Sequence, residues 1–586
     1  MNILERLVGA VAMIASLLGG GITKALAQDV RVETLSERHA LVRVDGGGRY
    51  LLLPVQESAP EATVNVLADT RKERDFTVRL AMDKVDYLVP LDLGGLAGRK
   101  VILDINLRPR EGRGTAAQID WKALKLSDVF EPEGHETYRP LYHFAPDYGW
   151  MNDPNGMVYK DGEWHLFFQY NPFGSQWGNM TWGHAVTRDL VSWKQIDNAI
   201  EPDPLGAIFS GSAVEDKENV SGFGAGAIVA MFTSAGQSQT QSIAYSVDGG
   251  RTFTKYAGNP VIVYDAPDFR DPKMFLDKGT GQWKVVIAAG QEVQFWTSKN
   301  LREWSYESSF GRTYGSHAGV WECPDLVRIG DKDVLIVNIN PGGPAGGSAT
   351  QYFVGKFDGH AFRPDEAPEV TRWMDHGKDH YATVTWSGAP DGRVVALAWM
   401  SNWEYAGAVP TKVFRSANSI PRDLSLVKSG NETILKSSPS PEMEALRGTP
   451  VRKKVSKSPM ALFAEPHQAY ELVIRFNIPK GKEASFTLRN DEGEKVEMTF
   501  DGAAGEFSMD RRASGETGFS KTFPTVTKAP TNAEGKTELR LFVDAASVEA
   551  FGEDFVMTNL VFPSTPYNRI YSNGVKADIT IYPLAK

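Results

Sequence analysis

Apolar and polar residues alternate over short runs through most of this chain, and runs with helical spacing are scarce. Thr63-Val64-Asn65-Val66-Leu67, Phe76-Thr77-Val78-Arg79-Leu80, Tyr87 to Leu93 and Val101-Ile102-Leu103-Asp104-Ile105 put bulky or β-branched side chains at alternate positions. A period of two places them on one face of an extended chain, so each run predicts a half-buried strand. Gly-Gly pairs punctuate the runs, and residues 28–135 are expected to form a small all-β domain. The same alternation returns near the C-terminus, in Leu472-Val473-Ile474-Arg475-Phe476, Ser485-Phe486-Thr487-Leu488, Leu539 to Val543, Ser547-Val548-Glu549-Ala550-Phe551 and Ile579-Thr580-Ile581-Tyr582. Residues 450–586 are therefore expected to form a β-sandwich.

Between these segments the texture changes. Residues 136–435 hold most of the 14 Trp residues, and turns closed by an aromatic recur: Arg188-Asp189-Leu190-Val191-Ser192-Trp193, Asp248-Gly249-Gly250-Arg251-Thr252-Phe253 and Lys299-Asn300-Leu301-Arg302-Glu303-Trp304. Each follows strand-like text, at a spacing of roughly 50–60 residues, which fits the blades of a β-propeller. Spacing alone fits a series of sandwich hairpins equally well. A stretch with Ser437-Ser438-Pro439-Ser440-Pro441 and Pro450 marks 436–449 as a linker.

The whole chain has 586 residues, 42% hydrophobic and 23% charged, enough for several domains. Its net charge of −10, without a basic block, argues against nucleic acid or an anionic membrane as partner. An apolar run from Leu7 to Ile22 leads into Lys24-Ala25-Leu26-Ala27. Residues 1–27 thus resemble a secretory signal peptide cleaved after Ala27, too short for a membrane span, and the mature protein is expected to be secreted without membrane insertion. Cys323 is the only Cys, so no intrachain disulfide can form.

The candidate chemistry lies in three carboxylates, each beside Pro and an aromatic. Asp153 sits in Trp150-Met151-Asn152-Asp153-Pro154-Asn155-Gly156, Asp271 in Phe269-Arg270-Asp271-Pro272, and Glu322 in Val320-Trp321-Glu322-Cys323-Pro324-Asp325. Splitting a glycosidic bond needs one carboxylate to attack the anomeric carbon and one carboxylic acid to protonate the leaving oxygen. A third acid can hold sugar hydroxyls. His143, His165 and His184 show no metal-ligand spacing, and no phosphate loop or dinucleotide fingerprint occurs, so no metal or cofactor is expected.

These motifs, in this order, resemble the invertase/inulinase/levanase family, glycoside hydrolase family 32. Trp164-His165-Leu166-Phe167-Phe168-Gln169-Tyr170-Asn171-Pro172, Trp177-Gly178, Trp182-Gly183-His184, Phe209-Ser210-Gly211-Ser212 and Trp399-Met400-Ser401-Asn402-Trp403-Glu404-Tyr405 extend the resemblance over residues 136 to 586. It implies an all-β protein, with a five-bladed β-propeller catalytic domain followed by a C-terminal β-sandwich; the small N-terminal β domain is extra and is expected to pack on the catalytic domain or bind polysaccharide. The resemblance further implies Asp153 as nucleophile, Glu322 as general acid/base and Asp271 as the residue holding fructosyl hydroxyls, kept ionised by Arg270. Trp150, Met151, Asn152, Gln169, Trp177, Phe209, Ser210, Arg270 and Trp403 would line the fructose pocket. The implied activity is release of terminal β-fructosyl units from fructan or sucrose, with levan, inulin and sucrose undecided and the oligomeric state open. A fructosyltransferase, an endo-acting fructanase or a catalytically silent fructan binder are the alternatives.

Overall fold

The computed structural model describes residues 24–25, 29–108, 114–132 and 136–585. Three β modules follow one another along the chain. The expected signal segment 1–27 lies outside the described residues except for Lys24–Ala25, a two-residue strand beside Arg31 and Val32.

In the first module, Ala62–Ala68 and Val101–Leu107 pair antiparallel, and every second side chain of each is buried. They belong to a six-stranded sheet that faces a three-stranded one of Tyr50–Val55, Tyr87–Asp92 and Lys125–Ser127. Val64, Val66, Leu103, Leu51 and Val89 fill the space between them, and Phe173 and Val413 of the next module enter the same core.

The second module settles the choice that spacing left open: it is a propeller of five separate sheets. Their innermost strands are Gly149–Lys160, Ala207–Asp216, Phe269–Asp277, Val320–Ile329 and Tyr381–Thr385. Each lies beside the next around one axis, and the fifth lies beside the first. Phe414–Arg415 pairs in parallel with Gly149–Trp150 and closes the ring through the first blade. Gly156 is required where the first strand passes its neighbours: its φ is 53°, and a Cβ there would meet the rings of Phe167 and Trp182 at 2.6 Å.

The segment 436–449, expected as a linker, is built structure. Lys436 to Pro439 end the outer strand Glu432–Pro439 of the fifth blade, and Pro441–Leu446 form a 3-10 turn with Met443 and Leu446 buried. The prolines that looked like spacer residues end a strand and open a helical turn, roles for which a fixed φ suits them. Beyond this turn, two six-stranded sheets enclose Leu472, Ile474, Phe486, Leu488, Leu541 and Ile579 as the core of the sandwich.

Charged side chains, fully buried, join propeller to sandwich. His143 bonds Asp544 and Glu549 at 2.8 Å each. Arg422 bonds Asp375 at 2.9 Å and also Glu549, and Arg511 bonds Asp379 at 2.5 Å. Burial disfavours the charged imidazole of His143, but its two carboxylate partners outweigh that and raise its pKa to about 9. Burial likewise opposes the charge on Glu549, and Arg422 with His143 draws it down to about 2.

Two consequences for stability follow from these shifts. The Glu549 contribution is complete above its ordinary value of 4.5 and is lost as pH falls through its folded value of about 2. The His143 contribution is complete below 6.5 and is lost as pH rises through about 9. The melting temperature, followed by circular dichroism, is thus expected to be highest between those limits and to fall on both sides. Arg422→Met, which leaves two buried carboxylates without their partner, should lower stability by about 3–5 kcal/mol at neutral pH.

Candidate active site

Every inner strand of the propeller begins with the same irregularity. Its pairing with the second strand gains one extra residue, between Met151 and Pro154, Ile208 and Gly211, Arg270 and Lys273, Glu322 and Asp325, and Tyr381 and Val384. Such a bulge frees side chains from the up-and-down alternation of a strand and turns them toward the open edge, here the axial channel. Pro154, Pro272 and Pro324 are accommodated because these are edge strands at a bulge, where no ladder donor is lost. At the second bulge position the backbone of Asp271, Cys323 and Ala382 takes φ of 65°, 43° and 54°.

The bulges stack the candidate residues in layers. Arg270, Glu322 and Tyr381 hold the first bulge position of three successive blades and bond in a row. Arg270 Nη2 donates to Glu322 Oε1 at 2.8 Å, and the Tyr381 hydroxyl donates to Oε2. Asp271 and Cys323 share the second position, and the Cys323 N–H donates to Asp271 Oδ2 at 2.9 Å. Asp153 and Ser210 share the third, and the Ser210 hydroxyl donates to Asp153 Oδ2 at 2.6 Å. Asn152 Nδ2 donates to the other oxygen of Asp153 at 3.0 Å. The thiol of Cys323 lies 3.5 Å from both Asp153 Oδ2 and Asp271 Oδ2, so it packs between two of the acids. Burial and those carboxylates hold it far above its ordinary pKa, which leaves it a neutral spacer.

The acids differ in surroundings. Burial raises the pKa of Glu322; Arg270 and the Tyr381 hydroxyl oppose the rise, and Asp153 adds to it. Asp271 is pushed up to about 7, first by burial, against which Arg270 works, and then by Glu322 and Asp153. Arg270 was expected to keep Asp271 ionised, yet its Nε stands 3.9 Å away while its other nitrogens bond Glu322 and, at 2.6 Å, Asp268. Its shortest contacts go to other carboxylates, although its charge still acts on Asp271.

A cavity of about 360 Å³ opens at this end of the axis. Asp153, Asp271 and Glu322 line it together with Asn152, Gln169, Trp177, Phe209, Ser210, Arg270 and Trp403. Trp150 and Met151, expected as pocket residues, are 1% and 0% exposed and lie behind the wall. The Trp150 indole donates to Asn152 Oδ1 at 2.8 Å and stacks on Trp403, so it sets two wall residues without reaching the cavity. Gln239, which lines the cavity and accepts from Arg270 at 3.3 Å, escaped sequence reading, as did Tyr381. Gln239 alternates with Gln237 and Gln241 in a polar run, and Tyr381 occupies the fifth-blade counterpart of Glu322; both signals need the blades to be aligned first. His165 and His184 pair with each other at 3.1 Å inside the first blade, where burial holds both imidazoles below their ordinary pKa.

The chain has counterparts among known proteins. The family described as Glycosyl hydrolases family 32 N-terminal domain matches residues 143–439, and Glycosyl hydrolases family 32 C terminal matches residues 442–583. The chain belongs to glycosyl hydrolase family 32. Residues 36–142 match a domain of unknown function (DUF4980). A levanase of Bacillus subtilis is 45% identical over 480 residues, covering 77% of this chain and 71% of its own. An extracellular exo-inulinase of Aspergillus awamori is 37% identical over 508 residues, covering 76% and 94%. The crystal structure of exo-inulinase from Aspergillus awamori superposes with a TM-score of 0.71 at 35% identity, over 77% of this chain and 98% of that one. A fructofuranosidase of Schwanniomyces occidentalis complexed with fructose gives 0.69 at 34%, over 77% and 99%. This family 32 chain is therefore a glycoside hydrolase with the propeller and sandwich of its relatives, preceded by an additional β module.

The row Arg270–Glu322–Tyr381 generates a pH prediction. The Tyr381 hydroxyl favours the charged form of Glu322, so Tyr381→Phe should raise the Glu322 pKa further. If Glu322 must carry a proton, the alkaline limb of the kcat profile moves to higher pH in that variant. An unmoved limb would show that another group sets it.

Proposed function

We propose that this protein is a secreted, retaining β-fructosidase that removes terminal non-reducing β-D-fructofuranosyl units from fructans, levan or inulin, and also from sucrose. The observation that carries this reading is the pairing, in one cavity, of an Asp153 carboxylate held by Asn152 and Ser210 with a Glu322 whose pKa is raised. Asp153 attacks the anomeric carbon of the terminal fructosyl unit while Glu322 gives its proton to the departing glycosidic oxygen. A covalent fructosyl-enzyme results. Glu322, now a carboxylate, takes a proton from water, which displaces Asp153 and leaves the anomeric configuration as it began.

Asp271, Gln169 and Asn152 supply acceptors and donors for ring hydroxyls, and Trp177, Phe209 and Trp403 offer apolar faces to the C–H surface of the sugar. Relatives named as extracellular exo-inulinases support action at chain ends and export. Among the described residues, no helix is long and apolar enough to cross a membrane.

A time course of products from levan, inulin and sucrose, with Asp153→Asn as blank, tests this reading. Fructose alone from the earliest times is expected, and early oligosaccharides would point instead to endo-cleavage or transfer. Binding without turnover in the parent protein would mark a silent binder. Asp153→Asn and Glu322→Gln should each lower kcat by several orders of magnitude with unchanged circular dichroism. Fructose caught by NMR before mutarotation should be the β-anomer; initial α-fructose would contradict a double displacement.

A further inference from the structure

The N-terminal module does not sit apart from the active site. Beside contacts such as Arg49–Asp197 and Arg74–Glu201, it holds the connection between strands Glu163–Asn171 and Thr181–Thr187 of the first blade, which carries Trp177. Trp177 is unusual in the cavity wall: it is 52% exposed, and its recorded ring contact is an edge-on approach to Phe209 at 6.2 Å. A side chain so lightly packed takes its position from the backbone that bears it.

That backbone is held from the N-terminal side at three points. Glu57 Oε1 accepts from the backbone N–H of Ser175 at 3.0 Å and from its hydroxyl at 2.8 Å, and it also accepts from the hydroxyl of Tyr87. Phe76 stacks on Phe173, with ring centroids 3.8 Å apart and planes 13° from parallel. Asn179 exchanges hydrogen bonds with the backbone of Thr77 in both directions, at 2.8 Å each. These anchors fall two and four residues before Trp177 and two after it, so the connection is clamped on both sides of the indole. Ser175 and Phe173 are buried by this contact, whereas a module tethered only for independent polymer capture would leave the connection free.

We infer that the N-terminal module acts as a clamp that fixes the Trp177 connection, with Glu57 and Asn179 as positioning residues for the outer wall of the substrate cavity. The inference rests on the fructosidase reading of that cavity. The clamp acts on binding: a mobile indole weakens capture of the fructosyl chain, while the acids deeper in the funnel keep their bonds. Glu57→Ala takes both acceptor bonds from Ser175, and Glu57→Gln, which keeps an acceptor oxygen, restores most of the function. Asn179 has φ 48°, so Asn179→Gly keeps that backbone geometry and deletes the bonds to Thr77 from the propeller side, together with one to Asn171 within the propeller.

The test is a double-mutant cycle with Trp177→Ala on the full chain, using a short inulin-type oligosaccharide. Glu57→Ala and Asn179→Gly are expected to raise KM roughly five- to tenfold, as loss of a buried charged or paired contact predicts, with kcat within about twofold. In the Trp177→Ala background neither should raise KM further. The same cycle read as oligosaccharide binding to the Asp153→Asn protein should agree. Unchanged KM in both variants, or equal losses with and without Trp177, would overturn the inference while leaving the fructosidase reading intact. A parent protein that neither binds nor cleaves the oligosaccharide would instead remove that reading and this inference with it.

Discussion

The bulge at the head of each inner strand is the constraint on which the active site depends. One extra residue in the same place in all five blades breaks the alternation of the strand just where it borders the axis. Without it, the residues on either side of each acid would face the flanking blades, and the carboxylates could not converge. Because the bulge has three positions, the three acids take different ones: Asp153 the third, Asp271 the second and Glu322 the first. Residues at equal positions in neighbouring blades meet, which gives each acid a partner from the next blade: Ser210 for Asp153, Cys323 for Asp271, and Arg270 with Tyr381 for Glu322.

Layering also lets three carboxylic acids share a small volume. Like charges so close raise one another's pKa, and burial adds to that. Arg270 offsets part of the repulsion, but it is tied to Glu322 and Asp268 more closely than to Asp271. Burial and these neighbours hold Asp271 at about 7 and Glu322 above its ordinary value. Below it, the buried Lys273 bonds Asp325 at 2.9 Å and the carbonyl of Thr385 at 2.6 Å, tying the third, fourth and fifth blades together beneath the acids.

The modules on either side hold the propeller by different means. Toward the sandwich, apolar clusters such as Met400 and Tyr405 on Phe523 and Phe562 surround fully buried ion pairs, whose partners cannot be removed singly without stranding a charge. Toward the N-terminal module, apolar packing around Phe173 and Val413 combines with a few polar bonds to the Trp177 connection. The first contact secures the body of the propeller; the second reaches the rim of its cavity.

The chain's local text was enough to determine its all-β character, the two flanking β modules and the three acids. Period-two alternation is set by the backbone of a single strand, and Asp-Pro, Glu-Cys-Pro and their neighbours are contiguous in sequence. The number of blades came only with family resemblance, because strand pairing across some fifty residues leaves little local trace. The structure within the expected linker has a related cause: Pro and Ser mark breaks in backbone regularity, but whether a break ends a strand or frees the chain depends on what packs over Met443 and Leu446. Trp150 behind the wall, Gln239 and Tyr381 in or beside the cavity, and the clamp from Glu57 to Ser175 were decided by tertiary structure alone. Each depends on which way a side chain points after a bulge, or on which distant segment lies opposite. Those are properties of the closed ring of blades and not of any one strand.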